Sequence, residues 1–431
     1  MAVPFSGESA APIWMAYLFI LCLLVPLELN LGPLVLYPHR LVLLILTPVA
    51  LYHVFVRRVA GGTILPDWLL LFSALWSVLS FFVNAPDLSA IETGGSYFLE
   101  FTGAYFLART SVRSAGDMAR IARLLLLTLV VLVPAAAIES VTGRAFLLQM
   151  IPVDTYAVVY TQERMGLRRA QVVFAHPIHF GVYASISLAL FYFMFGTARR
   201  IAGSLLSAVG TFLSLSTGAL AAFMVQVALI AWNTVFARLA SRWYVLIGLS
   251  VAGYVVLDLL SNRTPFHLIV DYMTFNSGSS YNRILIWRYG TESVAAHPLF
   301  GIGLGEWARP SWMGSSVDNF WLLLAMRNGV PAFVATFLTL SLLAFKSCRT
   351  RLSKPENIRA RYAYVFVVTA IVLAGGTVHF WSAMMSFVMF MVGAGAWLVR
   401  FTEDATEENE AEVSAPVSRY TRQSTRRIRG S

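Results

Sequence analysis

"SLSTGALAAF", residues 214–223, breaks a long apolar stretch with a few small and polar side chains, and its reading sets how often the chain crosses a bilayer. Ser, Thr and Gly in succession supply turn chemistry: short hydroxyls bond to nearby backbone groups, and glycine accepts the angles a turn demands. Read as a tight turn, the stretch separates a span near 200–215 from another near 218–235.

Outward from that turn, apolar windows long enough to cross the hydrocarbon recur in both directions. They lie near 12–31, 38–56, 67–84, 91–108, 120–138, 173–195, 243–260, 319–345, 362–378 and 380–399. The chain is 58% hydrophobic and 13% charged, more apolar surface than a water-soluble core hides. The runs are too long and too uniformly apolar for barrel strands, which leaves helices as the way to satisfy backbone groups in lipid. The expected fold is therefore an all-α polytopic membrane protein of about twelve transmembrane helices in one membrane domain, residues 1–401. The opening "MAVPFSGESAAPIW" lacks the Lys or Arg of a signal peptide, so the run after it is read as the first helix.

A formal charge of +10 does not imply nucleic acid here, because the basic residues are scattered over short connections. Arg57–Arg58, Arg109 with Arg113, Arg199–Arg200, Arg238 with Arg242 and "KSCRTRLSKPENIRAR" fall on alternate connections. "NAPDLSA", "STG" and "GGTVH" between them carry no Lys or Arg. By the positive-inside rule both termini come out cytoplasmic. Cys22 in an apolar run and Cys348 in a basic connection are not expected to pair. Residues 402–431, an acidic block followed by a basic one, read as a disordered cytoplasmic tail.

Two outer connections, about 139–172 and about 261–318, are long, and long connections in compact folds usually carry function. The second contains "RILIWRYGTESVAAHPLFGIGLGEW", residues 283–307. Its first part has helical character: Ile284, Trp287 and Thr291 share a face, Arg288 and Glu292 are four apart, and Arg283 can lay its guanidinium over Trp287. By itself that is an interfacial amphipathic helix. Pro298 after His297 ends the helix, and the alternating Gly301, Gly303 and Gly305 suit a turn or a close backbone approach. Asp318 and Asn319 stand at the mouth of the next span, where Asp318 suits a helix N-cap, and Arg327 lies about two turns down. An arginine at that depth is costly and marks a paired or functional site. In the first loop, Arg164, Arg168 and Arg169 precede His176 and His179, which flank Pro177 where the next span begins. The outer loops thus offer arginines, histidines and an acid, Asp318, at the mouth of the next span. Two histidines three apart without a nearby acid make a poor metal site, and no G-x-S-x-G elbow is present. The chemistry that remains is anion handling, with arginines for a diphosphate and a base for a hydroxyl.

Three runs carry a resemblance to the O-antigen ligase and polymerase superfamily of bacterial envelope enzymes. "RAQVVFAHPIHFG" resembles its motif of an arginine eight positions before a proline, here Arg169 and Pro177. The 283–307 run resembles its outer-loop signature of Arg, Trp and Pro-Leu-x-Gly-x-Gly, and "VDNFWLLLAMRNGVPAF" resembles the block that follows. Short singly, these motifs are specific in this order. Val172 stands where glycine is often found, and Asp318 stands where many members have histidine.

The resemblance implies a GT-C-like, metal-independent, inverting glycosyltransferase of the bacterial inner membrane, without a cofactor. Its donor and acceptor would be undecaprenyl-diphosphate-linked glycans, with flippase, export or chain-length proteins as further partners. On that reading Arg169 and Arg283 hold the leaving group, and Asp318 or His297 is the base. Arg168, Arg288, Arg327, His176, His179, Trp287 and Asn319 are substrate-binding candidates, and Trp307 and Trp312 stack on sugars or anchor at the interface. The Asp-Asn-Phe-Trp form resembles exopolysaccharide polymerases more than ligases. A ligase transferring the glycan to a different lipid is the alternative, and a transporter the second one.

Overall fold

The computed structural model describes residues 13–31, 34–151, 155, 157–260 and 277–401. The expected tail at 402–431 and the loop stretch 261–276 lie outside the described residues. Every expected span contains helix, although the one expected near 12–31 is helical only over its first part. The helices are α1 (Trp14–Leu23), α2 (Pro38–Phe55), α3 (Leu65–Asn84), α4 (Leu88–Phe98), α5 (Ala104–Ser111), α6 (Ala115–Thr142), α7 (Phe146–Gln149), α8 (Pro177–Met194), α9 (Thr197–Leu213), α10 (Thr217–Val235), α11 (Arg242–Leu260), α12 (Ser277–Ala296), α13 (Phe320–Arg349), α14 (Pro355–Gly375) and α15 (Ala383–Ala394). Eight of these are long and apolar enough to cross a membrane: α2, α3, α6, α8, α10, α11, α13 and α14. The remaining expected spans are shorter or interrupted. A π-helical segment, Leu99–Gly103, joins α4 to α5, and α1 stops before Pro26, which has no N–H to donate to the preceding turn. After α1 the chain forms a small antiparallel hairpin, Leu29–Leu31 with Leu34–Leu36.

In lipid, helices associate by close packing of small residues and by polar bonds rather than by a hydrophobic force. α8 shows both devices and is the most buried of the long helices. Gly181 packs against Ser214 and Ala219, and the Gln226 amide of α10 donates to the Ser185 carbonyl at 2.8 Å while accepting from Ala189 at 3.2 Å. At one end of the bundle, Arg109 is buried and pairs with Asp67 at 3.0 Å, and Arg400 reaches the Gly61 carbonyl. These basic connections gather together. At the other end, Asn84 donates to Phe300, Gly218 abuts Thr377, and Phe320 N–H donates to Val378, so the connections without Lys or Arg meet the long loops there.

The glycine ladder of 301–305 has a structural task. α13 is broken at Gly329 (φ 83°), and the 298–303 turn docks into the break. Ile302 and Gly303 donate to the carbonyls of Met326 and Arg327, both at 2.9 Å, and Val330 donates to Pro298 at 2.8 Å. A Cβ on Gly329 would overlap the Leu299 carbonyl, and one on Gly301 would overlap the Met326 and Arg327 backbone. Gly329→Ala is expected to cost about 1–3 kcal/mol in conformational strain alone, before the overlap. Thermal unfolding in detergent checks this, and an unchanged transition would contradict it.

Candidate active site: an arginine-lined cavity at the loop end

Three chain segments meet at the turn whose reading opened the sequence. Arg169 Nε donates to the Ser214 carbonyl at 3.2 Å, Arg164 to the Leu215 carbonyl at 3.0 Å, and Arg283 to the Thr217 hydroxyl at 3.1 Å. Leu215 holds a φ of 45°, which exposes consecutive acceptors on a turn that also caps α10 through Ser216. The polar break between α9 and α10 is thus both a turn and the seat of three guanidiniums.

Each arginine is presented by a different device. Arg164 sits on a two-residue hairpin, Glu163–Arg164 against Leu167–Arg168, whose Met165 and Gly166 both have positive φ. Arg169 is buried, with Nη1 donating to Gln162 at 3.0 Å and its backbone N–H to the Gln162 carbonyl at 3.1 Å. Arg283 comes from α12, which packs on α13 through a separate apolar cluster that includes Leu285, Ile286, Leu322 and Met326. The buried face of α12 is the one that carries Leu285, Ile286 and Gly290, which closes on Leu322, while Trp287 and Thr291 are exposed. Docking of α12 against a neighbouring helix, rather than onto an interface, chose that face.

These arginines line a cavity of about 600 Å³ together with His176, Trp307, Asp318, Arg327, His379 and Trp381. A second cavity of about 420 Å³, lined by Tyr37, Arg40, Glu92, Tyr97 and Glu100 among others, shares Leu323, Arg327, His379 and Trp381 with it. Those four residues form a common wall.

Asp318 is not the helix cap. Asn319 caps α13 through its Oδ1, which accepts from Leu322 N–H at 3.0 Å, so the Asp318 carboxylate is left to face the cavity. Burial pushes its carboxyl above the usual aspartate range, outweighing the opposing pull of Arg283, Arg169 and Arg164. Burial lowers each of those arginines in turn, Arg169 to about 10, so all remain cationic at neutral pH. His176 and His379 are pushed down to about 3, mainly by burial and then by arginine charge, and are neutral. His176 Nδ1 accepts from Ile178 N–H at 3.1 Å, which leaves the ring proton on Nε2. The cavity is thus a cationic pocket with two carboxylates, Glu306, which pairs with Arg309, and the buried Asp318, and it suits an anion beside a group that must lose a proton.

Of the residues expected from sequence, Arg169, Arg283, His176, Asp318 and Arg327 are brought together. Others are placed elsewhere. His297 is exposed and does not line the cavity, and exposed Arg288 forms an ordinary pair with Glu292 at 3.7 Å. Arg168 turns away to the Gly143 and Tyr160 carbonyls, and His179 is buried beneath the Trp381 ring at 3.8 Å. Trp307 lines the cavity with its Nε1 on the Ser315 carbonyl at 3.0 Å, whereas Trp287 and Trp312 are exposed. In the sequence Arg164 was legible only as one of the first loop's arginines, and His379 and Trp381 had no functional place. The last two lie at and just beyond a short connection read only as a topology signal, although a His and a Trp at the mouth of a span mark a polar lining.

Residues 202–337 match the family model described as O-antigen ligase. The matched stretch, less than half of the chain, includes Arg283, Asp318, Arg327 and the 214–217 turn, and it supports a likeness to the O-antigen ligase and polymerase superfamily, whose members are membrane glycosyltransferase-like enzymes. It does not extend over Arg164, Arg169, His176 or His379. No curated protein matches the chain.

Proposed function

We propose that this multi-pass membrane protein, with its O-antigen ligase domain at 202–337, is an inverting, metal-independent glycosyltransferase that polymerises undecaprenyl-diphosphate-linked repeat units on the outer face of the inner membrane. The observation that carries the reading is the seating of Arg164, Arg169 and Arg283 on one turn, around a cavity that also holds Asp318. Guanidiniums keep their charge and bind phosphate oxygens in two-pronged fashion, so the three together hold the donor diphosphate. The acceptor sugar approaches through the adjoining smaller cavity. Asp318 takes the proton of its hydroxyl, the oxygen attacks the anomeric carbon opposite the diphosphate, and undecaprenyl diphosphate leaves with the bond's electron pair. Arginine charge offsets the negative charge that grows on the departing oxygen.

A polymerase is preferred over a ligase because residues 318–321 have the Asp-Asn-Phe-Trp form. Transport is disfavoured because three arginines and a carboxylate, Asp318, converge around one cavity at the loop end, an arrangement for holding an anion beside a base. The test is turnover of a lipid-linked glycan by purified protein in detergent, with chelator and no gradient. Release of undecaprenyl diphosphate is expected at the same rate with and without chelator. Loss of turnover in chelator, restored by one specific ion, would overturn metal independence, and no turnover under any condition would overturn glycosyl transfer.

A further inference from the structure

The loop that delivers Arg169 is gripped from behind by a carboxylate that does not line the cavity. Glu139 stands in the last turn of α6 and is 2% exposed. Its Oε1 accepts from Gln171 N–H at 3.2 Å and its Oε2 from Val172 N–H at 3.0 Å. Two consecutive amides converge on one anion only where the backbone turns sharply, and here the turn sets Val172 at φ 58°. A β-branched residue in the left-handed region is a true outlier, held there by its surroundings.

The clamped turn connects directly to the cavity wall. Gln171 Oε1 accepts from Tyr160 N–H at 2.7 Å, and its Nε2 donates to Val158 at 2.9 Å and Phe174 at 3.1 Å. Ala170 N–H donates to Leu213 at 3.0 Å, on the helix end that leads into the seat of Arg169. Arg169 therefore hangs between the α9 end and the turn that Glu139 grips. Glycine at 172 would take the same angle without strain; this chain has valine there and a buried carboxylate opposite it.

We propose that Glu139 is a positioning residue: its carboxylate holds the strained Gln171–Val172 turn so that Arg169 points into the diphosphate cradle. The inference rests on the proposed role of Arg169. It is tested with Glu139→Ala, Glu139→Gln, Val172→Gly and the double variant Glu139→Ala/Val172→Gly in the full chain. Two readouts are used: affinity for undecaprenyl diphosphate from quenching of tryptophan fluorescence, and turnover of the lipid-linked glycan. Size-exclusion profiles check folding, and where Glu139→Ala does not fold, Glu139→Gln with and without Val172→Gly takes its place. Loss of the carboxylate is expected to weaken undecaprenyl diphosphate binding by about 10- to 100-fold, as for a binding group displaced by about 1 Å. Val172→Gly alone should bind as wild type does, and the double variant should recover most of the lost affinity. A merely structural glutamate would instead lower thermal stability and leave affinity unchanged, which would overturn the proposal. So would a double variant that binds no better than the single one. Wild-type protein that binds undecaprenyl diphosphate without transferring glycan defeats the glycosyltransferase reading alone, whereas wild-type protein that does not bind it defeats both.

Discussion

Arg283→Lys is expected to lower glycan transfer by about 10- to 100-fold while the protein still inserts and purifies as wild type does. A hydrogen bond to a charged group contributes about 1.5–3 kcal/mol, and each 1.4 kcal/mol or so is tenfold in rate. Lysine keeps the charge and loses the fork, so the loss measures geometry rather than net charge. Arg283 is the more informative site because its guanidinium is seated by one side-chain hydroxyl, that of Thr217, while Arg169 has several anchors. Arg169→Lys should be impaired similarly, with the donor KM raised in both. Wild-type turnover from either variant would remove these residues from the leaving-group cradle.

Asp318→Asn should behave differently, and the difference separates base from binder. Turnover is expected to fall by about 10²–10⁴-fold, the usual contribution of a positioned general base. Donor affinity should not weaken, because one negative charge leaves a cavity whose other charged groups include four arginines. The pH profile provides a second check. A base works deprotonated, so activity falls as pH drops through its pKa; burial raises the Asp318 carboxyl, so the acidic limb lies above that of an ordinary aspartate near about 3.9. Asp318→Asn should abolish that limb in kcat/KM. A variant that keeps the wild-type limb, with turnover near wild type, would move the base elsewhere; exposed His297 would be examined next.

The spans were legible because lipid demands long apolar helices and tolerates little else. Their ends were less so. α6 was expected to stop near 138, at the first acid, yet it runs to Thr142 because Glu139 is buried and finds two backbone amides. The expected capping role of Asp318 passed to its neighbour, since one residue's offset decides which side chain meets the free N–H of the first turn. Arg327 was visible as a charge in an apolar span, and Arg169 as the arginine eight positions before Pro177. What sequence could not supply was their common seat, because Arg164, Ser214 and Arg283 are far apart along the chain and meet only through tertiary packing.

Incubating the purified, detergent-solubilised protein with a single lipid-linked repeat unit, and no other acceptor, tests the central claim most directly. Resolved on a gel, the products are predicted to form a ladder of lengthened lipid-linked glycans in the presence of chelator. A substrate that stays intact, even after a second lipid acceptor is added, would contradict glycosyl transfer at this cavity.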